Sequence, residues 1–340
     1  MALQAGAYVV VEPSFAEPEI LTQWVQPSGF VYTLAGGELR TRLGEEDLLV
    51  YMKQLNLRTR ITAGQASANE LMGVDVAASQ ISTATYRAQV RNNWNHHDVN
   101  IAGNWGFSLT EAYRLGHRQA HFQLARDASL KGMNPQNGEG LLNAPGITAI
   151  NLPTDPFGND TFSTYDNGAM AFFLAQQIGA IKTRTLQLGL GRKFTVIGPQ
   201  RDLQLFEYNV VQLTQFQREG AGTDSTAGTF KEILMKNGDT VIWTYDDTLI
   251  GAGAGGTDAI IIVMPELEKP AGPPPVNLNE FAKLNPGNMV CNTQYTDMAA
   301  PREITSPMPG GATDFMTEWR FSSGWPVRPQ AVTVISGAYS

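Results

Sequence analysis

Charge is what this sequence has least of. Of its 340 residues, 24 are Lys or Arg and 32 are Asp or Glu, so 16% are ionic, against ~25% in an average domain. The net charge of −8 argues against a protein that coats nucleic acid with its whole surface, since that requires a basic excess. Cysteine is nearly absent. Cys291 stands alone, so neither an intrachain disulfide nor a Cys-based metal cluster can form. Long apolar runs are missing too. The longest, Ala169 to Ala175 and Ala259 to Met264, fall far short of the ~20 residues that cross a bilayer. The opening MALQAGAYVVV has no basic n-region, so a signal peptide is not expected. Synthesis and folding in a cytoplasm-like compartment are expected instead. Lysine is absent between Lys53 and Lys131.

Neutral residues take the place of charge. The apolar share is 42%, with 34 Gly, 20 Asn and 20 Gln. This is a globular composition, long enough for one large domain or two modest ones. A surface poor in charge and rich in amides is weakly solvated and is easily buried against a partner.

Residues 1–45 contain Pro13, Pro18 and Pro27 and no basic residue before Arg40. They read as an irregular arm, lying across either its own domain or a neighbour. The polar tract 54–107 shows strand alternation, with Ala84, Tyr86, Ala88 and Val90 on one face and Arg87, Gln89 and Arg91 on the other. It reads as a projecting hairpin without a helix. The strongest helix signal is 108–131. Ser108 and Glu111 form an S-x-x-E capping box, Gly132 supplies the stop, and Ala112, Leu115, Ala120, Leu124 and Ala128 form an apolar stripe. Such a helix is roughly 35 Å long.

A Gly/Asn/Pro-rich turn region follows over 132–160, then an apolar helix over 164–182, a strand over 193–197, and a helix from Pro199 to about Phe216. A short helix is expected at 229–236, and strands at 240–245 and 258–264 flank a flexible glycine run at 251–256. Residues 268–315, with Pro273, Pro274 and Pro275, are expected to be irregular. Strand alternation returns at Thr317, Trp319 and Phe321, then at Val332, Val334 and Ile335. The fold class is therefore mixed, α+β or α/β.

Signals for chemistry are thin. All four histidines, His96, His97, His117 and His121, lie close together in sequence, near Asp98. An H-x-x-x-H pair on a helix can hold zinc, but Arg118 stands where a zinc protease has its Glu, and Arg114 adds a second positive charge. The histidines read instead as a solvated or interface-facing helix side. The glycines at 189–193 and 251–256 fit neither the P-loop nor the dinucleotide pattern. Asp246 and Asp247 are adjacent, and on an extended segment their carboxylates point apart. No catalytic, cofactor-binding or metal-binding residue is assigned, and no cofactor.

At 138–147 the chain reads GEGLLNAPGI, directly after the long helix. Gly140, Leu141, Leu142, Asn143 and Pro145 stand in order with FTVIGP at 194–199, GGTDAIIIV at 255–263, and Pro329 and Ala331 near the end. In this ordered set the sequence resembles the major capsid proteins of tailed bacteriophages, which share the Hong Kong 97-type fold. The resemblance implies an α+β chain with an N-terminal arm (1–45) and an extended β-ribbon loop (46–107). It also implies a peripheral domain with a spine helix (108–150), an axial domain (151–268), and a C-terminal return to the peripheral domain (269–340). The implied function is structural, not enzymatic: copies assemble as pentamers and hexamers into an icosahedral shell around double-stranded DNA. The implied partners are other copies, a separate scaffolding protein, a portal and a decoration protein, with no sequence-specific DNA contact and no membrane. The implied location is the virion, after assembly in the host cytoplasm. An encapsulin-like compartment shell, or another structural phage protein, is the alternative. Some relatives cross-link through a ribbon lysine; a ribbon over 54–107 would contain none.

Overall fold

The computed structural model describes residues 35–59, 74–185, 191–208, 238–265 and 294–340, together with Lys231 and Leu234. Most of the arm, the expected continuation of the third helix to Phe216, and Cys291 lie outside the described residues. The expected helix at 229–236 is represented only by Lys231 and Leu234, both helical.

The described strands form two sheets. The first contains β1 (Gly37–Thr41), β2 (Leu49–Thr59), β3 (Val74–Asn95), β8 (Gln294–Met298), β9 (Arg302–Pro307), β10 (Ala312–Ser322) and β11 (Trp325–Pro326). Its order is β1-β8-β10-β3-β2, with β9 beside β10 and β11 beside β8. The second contains β4 (Thr148–Asn151), β5 (Lys193–Gly198), β6 (Thr240–Tyr245), β7 (Asp258–Val263) and β12 (Val332–Gly337), in the order β4-β12-β7-β5-β6. Four α-helices are described: α1 (His96–Asn104), α2 (Leu109–Leu130), α3 (Asn167–Arg184) and α4 (Gln200–Tyr208). None of the described helices is long and apolar enough to cross a membrane.

The alternation along β3 has the expected consequence. Tyr86, Ala88 and Val90 pack on the cluster of Ala128, Met298, Trp319 and Phe321, against Leu124 of α2. The opposite face carries ion pairs from Arg87 to Glu318 and from Arg91 to Asp314, across the antiparallel β3–β10 ladder. One face thus excludes water while the other keeps its charges solvated.

The run AIIIV of β7 alternates between two cores. Ile260 and Ile262 face α3 and α4, packing with Phe194, Phe206, Leu174 and Ile178. Ala259, Ile261 and Val263 face the other way, toward Leu130, Leu141, Val332 and Val334. Burial on both faces explains a continuous apolar strand. Each such side chain contributes about 1.5–3 kcal/mol relative to exposure.

Four expectations fail. A helix, α1, occupies His96–Asn104 within the tract read as helix-free. Its signal is local: Asn95 accepts from the backbone of His97 and Asp98, while Asp98 accepts from the Asn95 backbone, a reciprocal cap. Second, the segment read as irregular over 268–315 contains β8, β9 and the start of β10. β9 is almost wholly exposed and is held by its ladder with β10, so side-chain alternation carries no signal there. Third, the ribbon is not free of lysine: its pairing begins at Leu49, inside the 46–107 bounds and ahead of the polar tract at 54. Lys53 lies within β2, opposite Gln80, so the ribbon does contain a lysine. Fourth, the glycine run is a closed turn, not a flexible one: Gly253 N donates to Thr257 O at 2.7 Å and Ala254 N to Ser336 Oγ at 3.0 Å.

β3 is 22 residues long and changes partner along its length. Thr85–Asn95 pairs with β10, whereas Val74–Ala84 pairs with β2. Among the described residues, the outer half is a two-stranded ribbon standing beyond the body of the sheet.

Candidate functional site

α2 presents an inward stripe different from the expected one. Leu115 is 63% exposed and Ala112 is exposed as well. The inward positions are Tyr113, His117, Ala120, His121, Leu124 and Ala128, a continuous 3.6-residue stripe in which two members are histidines.

His117 is 4% exposed, not solvated. Asn92 Nδ2 donates to its Nε2 at 3.0 Å, which leaves Nδ1 to donate to Thr317 Oγ1 at 2.7 Å. The ring stacks on Phe315 at 4.9 Å. Both nitrogens are used, so neither is available to a metal. His121 meets the edge of Trp319. His96 and His97 are exposed on α1, and Asp98 is engaged in the helix cap. The structure therefore does not bring the four histidines together. No group of three His, Cys, Asp or Glu among the described residues could hold a metal ion.

Burial lowers the basicity of both His117 and His121, with a weaker opposing effect of Glu303 on His117. The unfolded chain then takes up protons first, below pH ~6.5. The stability they contribute is full above that pH and is lost as pH falls through their lowered folded values. In thermal scans the histidines work to lower the midpoint between pH 7 and pH 5, so relative to the wild type the His117→Gln midpoint should gain as pH falls through that range. Parallel curves for the two proteins would contradict this.

The GEGLLN segment has a local mechanical role. At the end of α2, Leu141 N donates to Ser129 O at 2.9 Å, Leu142 N to Leu130 O at 3.0 Å, and Asn143 Nδ2 to Lys131 O at 2.9 Å. Carbonyls that a helix end leaves unsatisfied are thereby paired. Glu139 is buried and accepts from Tyr86 OH and from Asn134 N, tying the turn to β3. Burial, with the Glu139 carboxylate beside it, pushes the Tyr86 hydroxyl up to about 12.

The other sequence candidates are structural. Gly191 lies against the backbone of Gly238, where a Cβ would come within 2.4 Å of its carbonyl oxygen. Asp246 accepts from Thr248 N and Oγ1, while Asp247 accepts from Gln200 N at the start of α4. Two ion pairs give no sequence signal: Lys182 with Asp239, both buried, and the exposed Arg201 with the buried Asp258. Each unites residues 57 apart in sequence, and no local spacing announces them.

What the surface offers instead is apolar area. Large exposed side chains include Leu48, Leu49 and Tyr51 at the ribbon base, and Ile101, Trp105, Phe107, Leu115 and Phe122 along α1 and α2.

Residues 60–196 match the sequence model of a family described as major capsid protein. The chain is similar in fold to the capsid of Myoviridae Phage XM1, with a TM-score of 0.68 at 11% identity, covering 98% of this chain and 100% of that one. It is also similar to the capsid of an empty GTA particle computed with C5 symmetry (TM-score 0.56, 11% identity, 96% of this chain and 95% of that one). A third similar structure is from Mycobacterium phage Che8 (TM-score 0.55, 12% identity, 97% and 98%). At these identities the likeness is one of fold. No curated protein matches the chain in sequence. Both comparisons, by sequence model and by fold, point to capsid proteins.

Proposed function

We propose that this chain is a major capsid protein of a tailed phage, the repeating unit of an icosahedral head with Hong Kong 97-type architecture, assembled as pentamers and hexamers around double-stranded DNA. In this reading residues 1–45 are the arm, 46–107 the extended loop, 108–150 and 269–340 the peripheral domain with α2 as its spine, and 151–268 the axial domain. Assembly takes place in the host cytoplasm, with a separate scaffolding protein, a portal and a decoration protein as further partners. The subunit has no catalytic role and needs neither cofactor nor metal.

The observation that carries this reading is the outer ribbon. Eleven residues of β2 pair with Val74–Ala84 and with no other described strand. A lone two-stranded hairpin is marginal in water and needs a surface to lie on. In a shell, that surface belongs to adjacent copies. The exposed apolar residues of the ribbon base, α1 and α2 supply contact area, and the scarcity of charge lowers the desolvation cost of burying it. Many individually modest contacts then close into a stable whole.

Deleting residues 64–80 tests this directly. The two cores and the α2–sheet packing lie elsewhere, so the variant is expected to stay folded by circular dichroism. It should form no closed particles under conditions where the parent chain does. Particles of normal size from the deletion variant would overturn the assignment of the ribbon to assembly.

A further inference from the structure

The corner where α4, the glycine turn and the C-terminal strand meet has too many acids for its bases. Asp202 lies there within the influence of Asp247 and Asp258, with Asp246 beside Asp247 in sequence, and the guanidinium of Arg201 is bound to Asp258. Three of these acids have partners. Asp258 Oδ2 accepts from Arg201 Nε at 2.9 Å and Nη2 at 2.5 Å, and its Oδ1 accepts from Gly251 N at 3.0 Å. Asp247 accepts from Gln200 N at 2.8 Å, and Asp246 from Thr248. Asp202 is different. It is 0% exposed, and among the described residues neither carboxyl oxygen meets a donor. The group within hydrogen-bonding reach of it is the carboxylate of Asp258.

Two ionised carboxylates cannot share a buried contact without a cation or a proton between them. Arg201 is committed to Asp258 through Nε and Nη2, with its guanidinium carbon 4.7 Å from the Tyr339 ring centre, and donates no hydrogen bond to Asp202. A proton is therefore required.

We propose that Asp202 and Asp258 form a proton-binding site: a carboxyl–carboxylate pair in which Asp202 carries the proton and donates it to Asp258, latching the start of α4 to the 251–257 turn and to the C-terminal strand. The latch joins three separate parts of the chain. Asp202 lies in the first turn of α4. Asp258 begins β7, pairs in register with Gly337 of β12, and closes the glycine turn through Gly251 N. The Arg201–Tyr339 contact extends it almost to the chain end.

The electrostatics agree with the geometry. Burial above all, then the charge and hydrogen bond of Asp258 and the charge of Asp247, push Asp202 up to about 7, with Arg201 opposing. An opened corner would release this proton near pH 4, as an ordinary carboxyl does. Between these two values the closed form holds a proton that the open form has lost. The latch is at full strength below pH ~4, weakens by about tenfold in its closing equilibrium per pH unit, and is fully lost by about pH 7. This is opposite in direction to the effect of His117 and His121, and it is confined to the second sheet.

The test uses the full-length protein and two readouts. Infrared spectra of the wild type should contain a protonated-carboxyl band that titrates with a midpoint near 7, well apart from ordinary carboxylates. The band should be missing from Asp202→Asn. Hydrogen exchange at α4 and Gly251, corrected for intrinsic chemistry, should accelerate about tenfold per pH unit between pH 5 and 7 in the wild type, then level off. In Asp202→Asn, which keeps a donor toward Asp258 but has no proton to lose, that slope should vanish. Equal slopes in the two proteins would overturn the proposal. So would a wild-type spectrum with no carboxyl band titrating above pH 6, a result that does not depend on the variant folding.

Discussion

Gly140→Ala is expected to yield insoluble protein and no particles. Gly140 has φ +84°, in the left-handed region, and a Cβ there would sit 2.4 Å from Gly132 N, 2.5 Å from Lys131 C and 2.9 Å from Leu130 O. All three atoms are backbone at the end of α2, so no side chain can swing away. The facing glycine is equally confined: a Cβ on Gly132 would meet Glu139 O at 2.5 Å. Left-handed strain alone costs about 1–2 kcal/mol. Pushing the two backbones apart also breaks the Leu141–Ser129 and Leu142–Leu130 hydrogen bonds and withdraws Leu141 from its core. The total is several kcal/mol, a large part of the ~5–15 kcal/mol that holds a domain together. Gly158→Ala is the control. Its φ is +93° but open space surrounds it, so only the strain applies. That variant should fold and assemble with a midpoint lowered by a few degrees. Soluble, assembling Gly140→Ala would refute the close-approach argument.

The second large effect is expected at Asp239. Its two oxygens accept from Lys182 Nζ, both at 2.9 Å, and Oδ1 also accepts from Arg192 N at 2.8 Å. Both partners of the ion pair are buried. Asp239→Ala leaves an ammonium in the core and a backbone N–H without its acceptor. Breaking a buried pair from one side costs about 3–5 kcal/mol. Combining Asp239→Leu with Lys182→Met removes both charges and should recover much of that loss, leaving mainly the unpaired Arg192 amide. Urea unfolding of the single and double variants measures the difference. Equal midpoints would mean that the pair contributes through packing and not through charge.

These two sites also mark what the sequence could and could not disclose. The α2 helix, the alternation in β3 and β10, and the doubly buried run of β7 were legible because each follows from a local period. The GLLN turn was visible as a motif, but its work as a helix cap depends on two glycine backbones meeting, which no spacing rule expresses. The inward face of α2 was misread because His117 and His121 are polar by type. Their burial is set by Asn92, Thr317 and Phe315, contributed by strands distant in sequence. β9 was missed because its ladder, not its side chains, makes it a strand. The Asp202–Asp258 pair was invisible for the same reason: only the packing of α4 against β7 places two acids together.

The central claim is that this chain closes into a shell of its own copies, and electron cryomicroscopy of the purified full-length protein, produced alone and with the proposed scaffolding protein, tests it most directly. The account predicts hollow icosahedral particles whose repeating density contains the two sheets and α2, with the β2–β3 ribbon lying on a neighbouring copy. A field of monomers, or particles in which each ribbon folds back on its own subunit, would contradict it.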